Sequence, residues 1–251
     1  MILLKSPREL EHMRAAGRIL AEVKALLLKL VKPGVSTKEI DAEVEALILA
    51  RGAASAFKGY RGYPATVCTS INEEVVHGIP SPRRKLKEGD IIGLDLGCIV
   101  EGYYGDCAVT LPVGPVPPRV QELIDVTRES LDKAIVQCRV GNRIGDISHT
   151  VQVHCESHGF GVVRSFVGHG IGRALHEEPQ VPNFGEAGRG PVLKAGMVLA
   201  IEPMVTMGAW EVQVLEDGWT AVTTDGSMAA HFEDTIAITE DGPDVLTRAA
   251  A

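Results

Sequence analysis

Hydrophobic positions recur at helical spacing in two stretches near the N-terminus, and each is opened by the same polar signal. Ser6-Pro7-Arg8-Glu9 and Ser36-Thr37-Lys38-Glu39 both set a hydroxyl at the N-cap and a glutamate three residues on, the reciprocal pattern of a capping box. Pro7 falls at the first helical position, where its missing N–H does no harm. The first pattern predicts a helix to about Val31, stopped by Pro33-Gly34; in the second, Ile40, Val44, Leu47 and Ile48 share a face up to Gly52. The segment Gly59-Tyr60-Arg61-Gly62-Tyr63-Pro64 breaks the period. Beyond it come β-type runs at residues 66–70, 91–100 and 104–111, the last two joined by the hairpin signal Glu101-Gly102.

The same order then returns. Residues 112–118 hold four prolines and mark the connection between two halves, about 1–112 and 118–251, of a single domain. Helical stretches at 118–139 and 144–158 precede strands near 197–202, 212–215 and 231–239. Helices grouped before strands, twice over, predict an antiparallel α+β fold rather than alternating βαβ units.

Composition narrows the function classes. Lys plus Arg number 25 against 33 Asp plus Glu, a formal charge of −8, which disfavours a protein that binds by neutralising nucleic-acid phosphates. The one basic run, Arg83, Arg84, Lys85 and Lys87, reads as a solvated loop. The five cysteines, Cys68, Cys98, Cys107, Cys138 and Cys155, show no CxxC spacing and suit a reduced compartment. No run is long and apolar enough for a signal peptide or a membrane span, so the expected setting is soluble and cytoplasmic.

The chemistry-bearing residues are carboxylates set in apolar runs. Asp95 lies within Ile91-Ile92-Gly93-Leu94-Asp95-Leu96-Gly97, and Asp106 follows in the partner strand of the expected hairpin. Glu202 ends Val198-Leu199-Ala200-Ile201, and Glu233 sits in His231-Phe232-Glu233-Asp234-Thr235. One buried carboxylate is ordinarily a satisfied structural group, but four together repel unless cations lie among them. Gly168-His169-Gly170-Ile171-Gly172 offers an imidazole between glycines. Carboxylate-rich, one-histidine ligation suits Mn, Fe or Co, and carboxylates that bridge two ions favour a water nucleophile near neutral pH. His154 and His158 are spaced as zinc pairs can be, yet lack the HExxH order and read as a solvated helix end. No GxSxG elbow is present, and Cys68 has no evident His-Asn partners in sequence, so Ser or Cys nucleophiles fit poorly.

With these residues in view, the chain resembles the type I methionine aminopeptidases of the pseudo-two-fold pita-bread fold, an antiparallel sheet with helices on its outer face. The resemblance runs over nearly the whole length. It is carried by Asn72-Glu73-Glu74-Val75-Val76-His77-Gly78-Ile79-Pro80, Asp95, Asp106, the His169 segment, His176-Glu177-Glu178-Pro179, Glu202-Pro203 and Glu233. It implies two divalent ions (Co, Mn, Fe or Zn) on Asp95, Asp106, His169, Glu202 and Glu233, with Asp106 and Glu233 bridging. It also implies removal of the initiator methionine from nascent or short peptides, before a small second residue. Glu202 is the expected proton shuttle, with His176 on the scissile carbonyl and His77 on the adjoining amide or leaving portion. Tyr60, Tyr63, Cys68, Leu175 and Trp219 are the expected walls of the methionine pocket.

Two departures bear on pocket shape: Leu175 stands where many relatives carry an aromatic residue, and Gly97-Cys98 where they often have Thr or Asn. Only residues 177–201 separate His176 from Glu202, too few for the insertion of the type II enzymes. A monomer is the family expectation, and transient ribosome contact through residues 83–87 is left open. Xaa-Pro aminopeptidases and dipeptidases share the ligand types but usually carry an additional N-terminal domain. A binding protein that has lost catalysis would have lost ligands, and all five are present.

Overall fold

The computed structural model describes residues 1–249. Both capping boxes form: Ser6 and Ser36 accept the N–H of Glu9 and Glu39, whose carboxylates bind back to the cap N–H groups. Helices α1 (Pro7–Leu30) and α2 (Thr37–Ala50) follow. Their buried faces, with Leu20, Val23 and Leu27 on α1 and Ile40, Val44 and Ile48 on α2, close over Ile92, Leu94, Leu96 and Cys98. These even positions belong to strand Ile91–Val100, the centre of a four-stranded sheet with Val67–Ile71, Ala54–Ser55 and Tyr103–Pro112. Alternation along a strand sends the odd positions, Asp95 among them, to the opposite face. At the hairpin tip Glu101 and Gly102 both take positive φ, 51° and 78°, the pair that lets a two-residue loop match strand twist.

Helices α3 (Pro118–Val136) and α4 (Ile144–Ser157) cover a second, five-stranded sheet. Its order is Gly242–Val245, Asp234–Thr239, Val198–Ile201, Gly168–Gly170, Glu177–Val181. Leu123, Leu131, Ile147 and Val151 pack there on Leu199, Ile201, Ile236 and Ile238. Each such side chain contributes about 1.5–3 kcal/mol on burial, which gives the frame rigidity to hold unfavourable charges elsewhere. Met204–Thr206 pairs with Ala229–His231 and Gly161–Val162, and Ala221–Thr223 with Val212–Val214 and Glu74–Val76. Every strand pairing among the described residues is antiparallel.

Two threonine contacts tie the long hairpin to strands of the second half. Thr235 Oγ1 donates to Asp106 O at 2.8 Å and accepts its N–H at 3.0 Å. Thr110 Oγ1 does the same with His231, at 2.9 and 2.8 Å.

Several expectations need correction. The strand predicted over 231–239 is two strands, Ala229–His231 and Asp234–Thr239, which enter different sheets. Helix α3 ends at Val136, short of residue 139, as a turn begins at Gln137. His154 is not solvated: it is 9% exposed, with Lys133 Nζ 3.0 Å from its Nδ1, because α4 packs that face on α3. Within the basic run, Arg84 pairs with Glu74 at 2.7 Å instead of standing free in solvent. No helix among the described residues is long and apolar enough to cross a membrane.

Candidate metal centre and adjoining pocket

Register across the long hairpin pairs Asp95 with Ala108 and Gly97 with Asp106, so the two aspartates are diagonal neighbours on one face. Glu233 joins them through the break between its flanking strands, where it exchanges backbone hydrogen bonds with Ala108 at 3.0 and 3.2 Å. His169 lies opposite Ala200 in the second sheet, and Glu202 follows the end of that same strand. The flanking glycines permit this seat: a Cβ at Gly168 would lie 2.5 Å from Ala200 O, and one at Gly170 2.2 Å from Glu178 O.

One ligand atom each from Asp106, His169 and Glu233 lies within 4.8 Å of the others. His169 Nε2 is 3.6 Å from Glu202 Oε1 and 3.9 Å from Asp106 Oδ2. Its Nδ1 is 2.9 Å from Gly170 O; with the proton on Nδ1, Nε2 is left as a lone pair facing the carboxylates. Asp95 Oδ1, Asp106 Oδ1 and Glu233 Oε1 are buried and have no hydrogen-bond partner among the described residues. Burial pushes Asp95 up to about 7 and lifts Asp106, Glu202 and Glu233 well above the usual carboxylate range, their mutual repulsion adding to it. Burial first, and His176 second, lower His169 to about 4, so its imidazole is neutral at physiological pH. Orphaned carboxylate oxygens around a neutral imidazole fit divalent cations, which supply the missing positive charge.

Above this floor lies a cavity of about 300 Å³ lined by all five carboxylate and histidine candidates. The same cavity is lined by His77, His176, Tyr60, Tyr63, Cys68, Leu175 and Trp219, so every site residue expected from sequence meets here. Tyr63 packs edge-on to Trp219, with centroids 5.1 Å apart, and its hydroxyl donates to Gly78 O at 2.9 Å. His77 holds the left-handed conformation at φ 62°, a strained backbone for a non-glycine residue, and meets the rings of Phe166 and Trp219 edge-on. Tyr60 Oη lies 2.8 Å from His176 Nδ1. Burial, and then the Arg61 charge, lower the pKa of His176.

Sequence reasoning missed Phe57, Arg61 and Phe166, which also line the cavity, and His231, whose Nε2 is 3.8 Å from Glu202 Oε2. Phe57 fits because Gly97 has no side chain: a Cβ there would lie 3.0 Å from the Phe57 ring. Proximity to the quoted motifs was the available signal, since Phe166 precedes His169 by three residues and His231 precedes Glu233 by two.

The model of metallopeptidase family M24 matches residues 11–240. The chain belongs to metallopeptidase family M24. Among M24 relatives, it is 52% identical over 247 residues to a methionine aminopeptidase of Clostridium acetobutylicum, covering 98% of this chain and 99% of that one. It is 52% identical over 248 residues to methionine aminopeptidase 1 of Bacillus subtilis, covering 99% and 100%. The crystal structure of methionine aminopeptidase from Thermotoga maritima superposes with a TM-score of 0.98 at 50% identity, covering 99% and 100% of the two chains. The architecture is thus the pita-bread fold that the resemblance implied. An Xaa-Pro dipeptidase from Bacillus anthracis, at 23% identity and a TM-score of 0.79, shares the fold, and this chain spans 62% of its length.

Proposed function

We propose that this chain is a methionine aminopeptidase that removes the initiator methionine from nascent and short peptides, preferring a small second residue. What carries the reading is one cavity that joins a carboxylate–histidine floor to an apolar wall fit for an unbranched thioether. Phe57, Tyr63, Cys68 and Leu175 are each under 10% exposed in that wall, and aromatic faces make favourable sulfur contacts of about 0.3–1.5 kcal/mol. The full-length likeness to methionine aminopeptidases supports the same substrate. We read the chain as one catalytic domain of two related halves, about 1–112 and 118–251, working as a cytoplasmic monomer.

We assign Asp95, Asp106, His169, Glu202 and Glu233 as the residues that would hold two divalent ions, Asp106 and Glu233 serving both. Such ions would supply Lewis acidity toward the scissile carbonyl and toward water. Glu202, its carboxylate buried against His169 and His231, takes a proton from water and returns it to the leaving amine. His176, with Tyr60 O–H donating to Nδ1, presents an Nε2–H to the carbonyl oxygen as negative charge develops there. His77, fixed by its strained backbone and two aromatic neighbours, orients the peptide beyond the scissile bond and crowds a large second side chain. The aromatic walls exclude water and reject charged first residues.

A peptide panel on the metal-loaded protein tests the proposal. Met-Ala, Met-Gly and Met-Ser starts should be cleaved and Met-Lys and Met-Leu starts spared. Norleucine should replace methionine with modest loss, because an apolar pocket distinguishes such chains by only about 1–3 kcal/mol. Release of alanine from Ala-Pro peptides, with Met-Ala-Ser left intact, would assign the chain instead to the proline-specific branch.

A further inference from the structure

We propose that Lys5, on the N-terminal arm, is a positioning residue for His176, acting through Glu177. The inference rests on the role given to His176 above. Residues 171–176 form irregular backbone between strand Gly168–Gly170, which carries His169, and strand Glu177–Val181. His176 is the last residue of that loop, its ring 4.3 Å from the ring of His169, centroid to centroid. The next side chain, Glu177, folds back and holds the loop: Oε1 accepts the N–H of Arg173 at 2.8 Å and of Ala174 at 3.2 Å. Its other oxygen pairs with Lys5 Nζ, from 172 residues away in sequence.

The lysine is built into the fold. Its side chain is 5% exposed and that of Glu177 9%. The Lys5 N–H donates to Gly196 O at 2.7 Å, pinning the arm to the turn before strand Val198–Ile201. Gly172 leaves room for it: a Cβ there would lie 2.3 Å from Lys5 Cε and 2.8 Å from both Lys5 Nζ and Glu177 Oε1. A carboxylate that holds two loop amides while nearly buried needs a cation to stay inside. Without Lys5, Glu177 turns toward water, releases Arg173 and Ala174, and the backbone that sets His176 loses its tether. A shift of about 1 Å in a catalytic group lowers rates by up to about 10²-fold, and a loop held at its other contacts should lose less.

The experiment compares Lys5→Met, Glu177→Gln, His176→Ala and Lys5→Met/His176→Ala in the metal-loaded enzyme on Met-Ala-Ser. Lys5→Met should lower kcat about tenfold with KM within about twofold, and hydrogen exchange at Arg173 and Ala174 should quicken. In the His176→Ala background the same substitution should remove almost nothing more, since there is no imidazole left to position. Glu177→Gln should reproduce the kcat loss, and Lys5→Arg should restore most of it. An equal kcat loss with and without His176, or an unchanged kcat in folded, metal-loaded Lys5→Met and Glu177→Gln, would overturn the proposal. If His176→Ala alone leaves kcat intact, the assigned role of His176 has failed, and the positioning proposal falls with it.

Discussion

Removing divalent ions should leave a protein that loses stability as pH rises through neutrality. In the folded chain Asp106, Glu202 and Glu233 titrate well above the carboxylate range and Asp95 at about 7, with burial the leading cause for each. In the unfolded chain these groups return to ordinary values and are ionised by pH 6. The folded state therefore binds more protons, and a raised carboxylate value stabilises most at low pH and is lost as pH climbs through it. Buried histidines act oppositely: His77 and His169 are lowered to about 4 and His231 to about 3, so folding is favoured as pH rises toward 6.5. That opposing effect fades above pH 6.5 and is small by about pH 7.5, where histidine is nearly all neutral in both states. The clean window is pH 7 to 8. Each carboxyl proton that the folded chain alone retains is worth up to about 1.4 kcal/mol per pH unit, so unfolding free energy should fall across that window. Urea unfolding of the chelated protein at the two pH values measures it, with the slope of the transition unchanged. Metal-loaded protein, its ligands already ionised, should show almost no change, and Asp106→Asn should make the chelated slope shallower. A chelated protein equally stable or more stable at the higher pH would show that the folded chain does not hold these carboxyl protons.

Three further outcomes follow from particular contacts. His176→Ala should lower kcat by far more than it raises KM, as for a group that acts on charge present only in the transition state; a KM effect alone would make it a substrate-binding residue. Tyr60→Phe removes the hydrogen bond to His176 Nδ1 and should lower kcat several-fold, whereas a change confined to KM would reduce Tyr60 to pocket wall. Asp234→Ala strips a buried carboxylate from Lys24, Thr247 and Arg248. Losing a fully buried pair costs about 3–5 kcal/mol, and the exposure of Arg248 lowers the expected loss to about 2–3 kcal/mol in urea unfolding; a loss under about 1 kcal/mol would contradict it.

The legible parts of the fold were those written in local chemistry. Two capping boxes, one hairpin signal and the 3.6-residue period located α1, α2 and the long hairpin within a residue or two. The short strands were not legible: Gly168–Gly170 has no β-forming side chain but His169, and its place is set by close backbone contact with Ala200 and Glu178. Nor could residues 231–239 announce their break, because Phe232 and Glu233 leave the ladder only where Ala108 arrives from the other sheet. The carboxylates stood out by contrast with their apolar neighbours. Phe57 and Phe166 did not, since an aromatic residue in an apolar run looks the same whether it faces a core or a cavity. Lys5 and Glu177 lie too far apart in sequence for any periodicity to connect them.

On the proposed function, this cluster of carboxylates and one histidine holds the divalent ions needed to release N-terminal methionine. The most direct measurement is a metal titration of exhaustively chelated protein, reading bound metal and methionine release from Met-Ala-Ser together. Activity should vanish on chelation and return with added Mn, Fe, Co or Zn, with binding saturating at two ions per chain, and Asp106→Asn should weaken both binding and turnover by orders of magnitude. Near-normal methionine release from the chelated, dialysed protein, or full metal binding and activity in Asp106→Asn, would contradict the account.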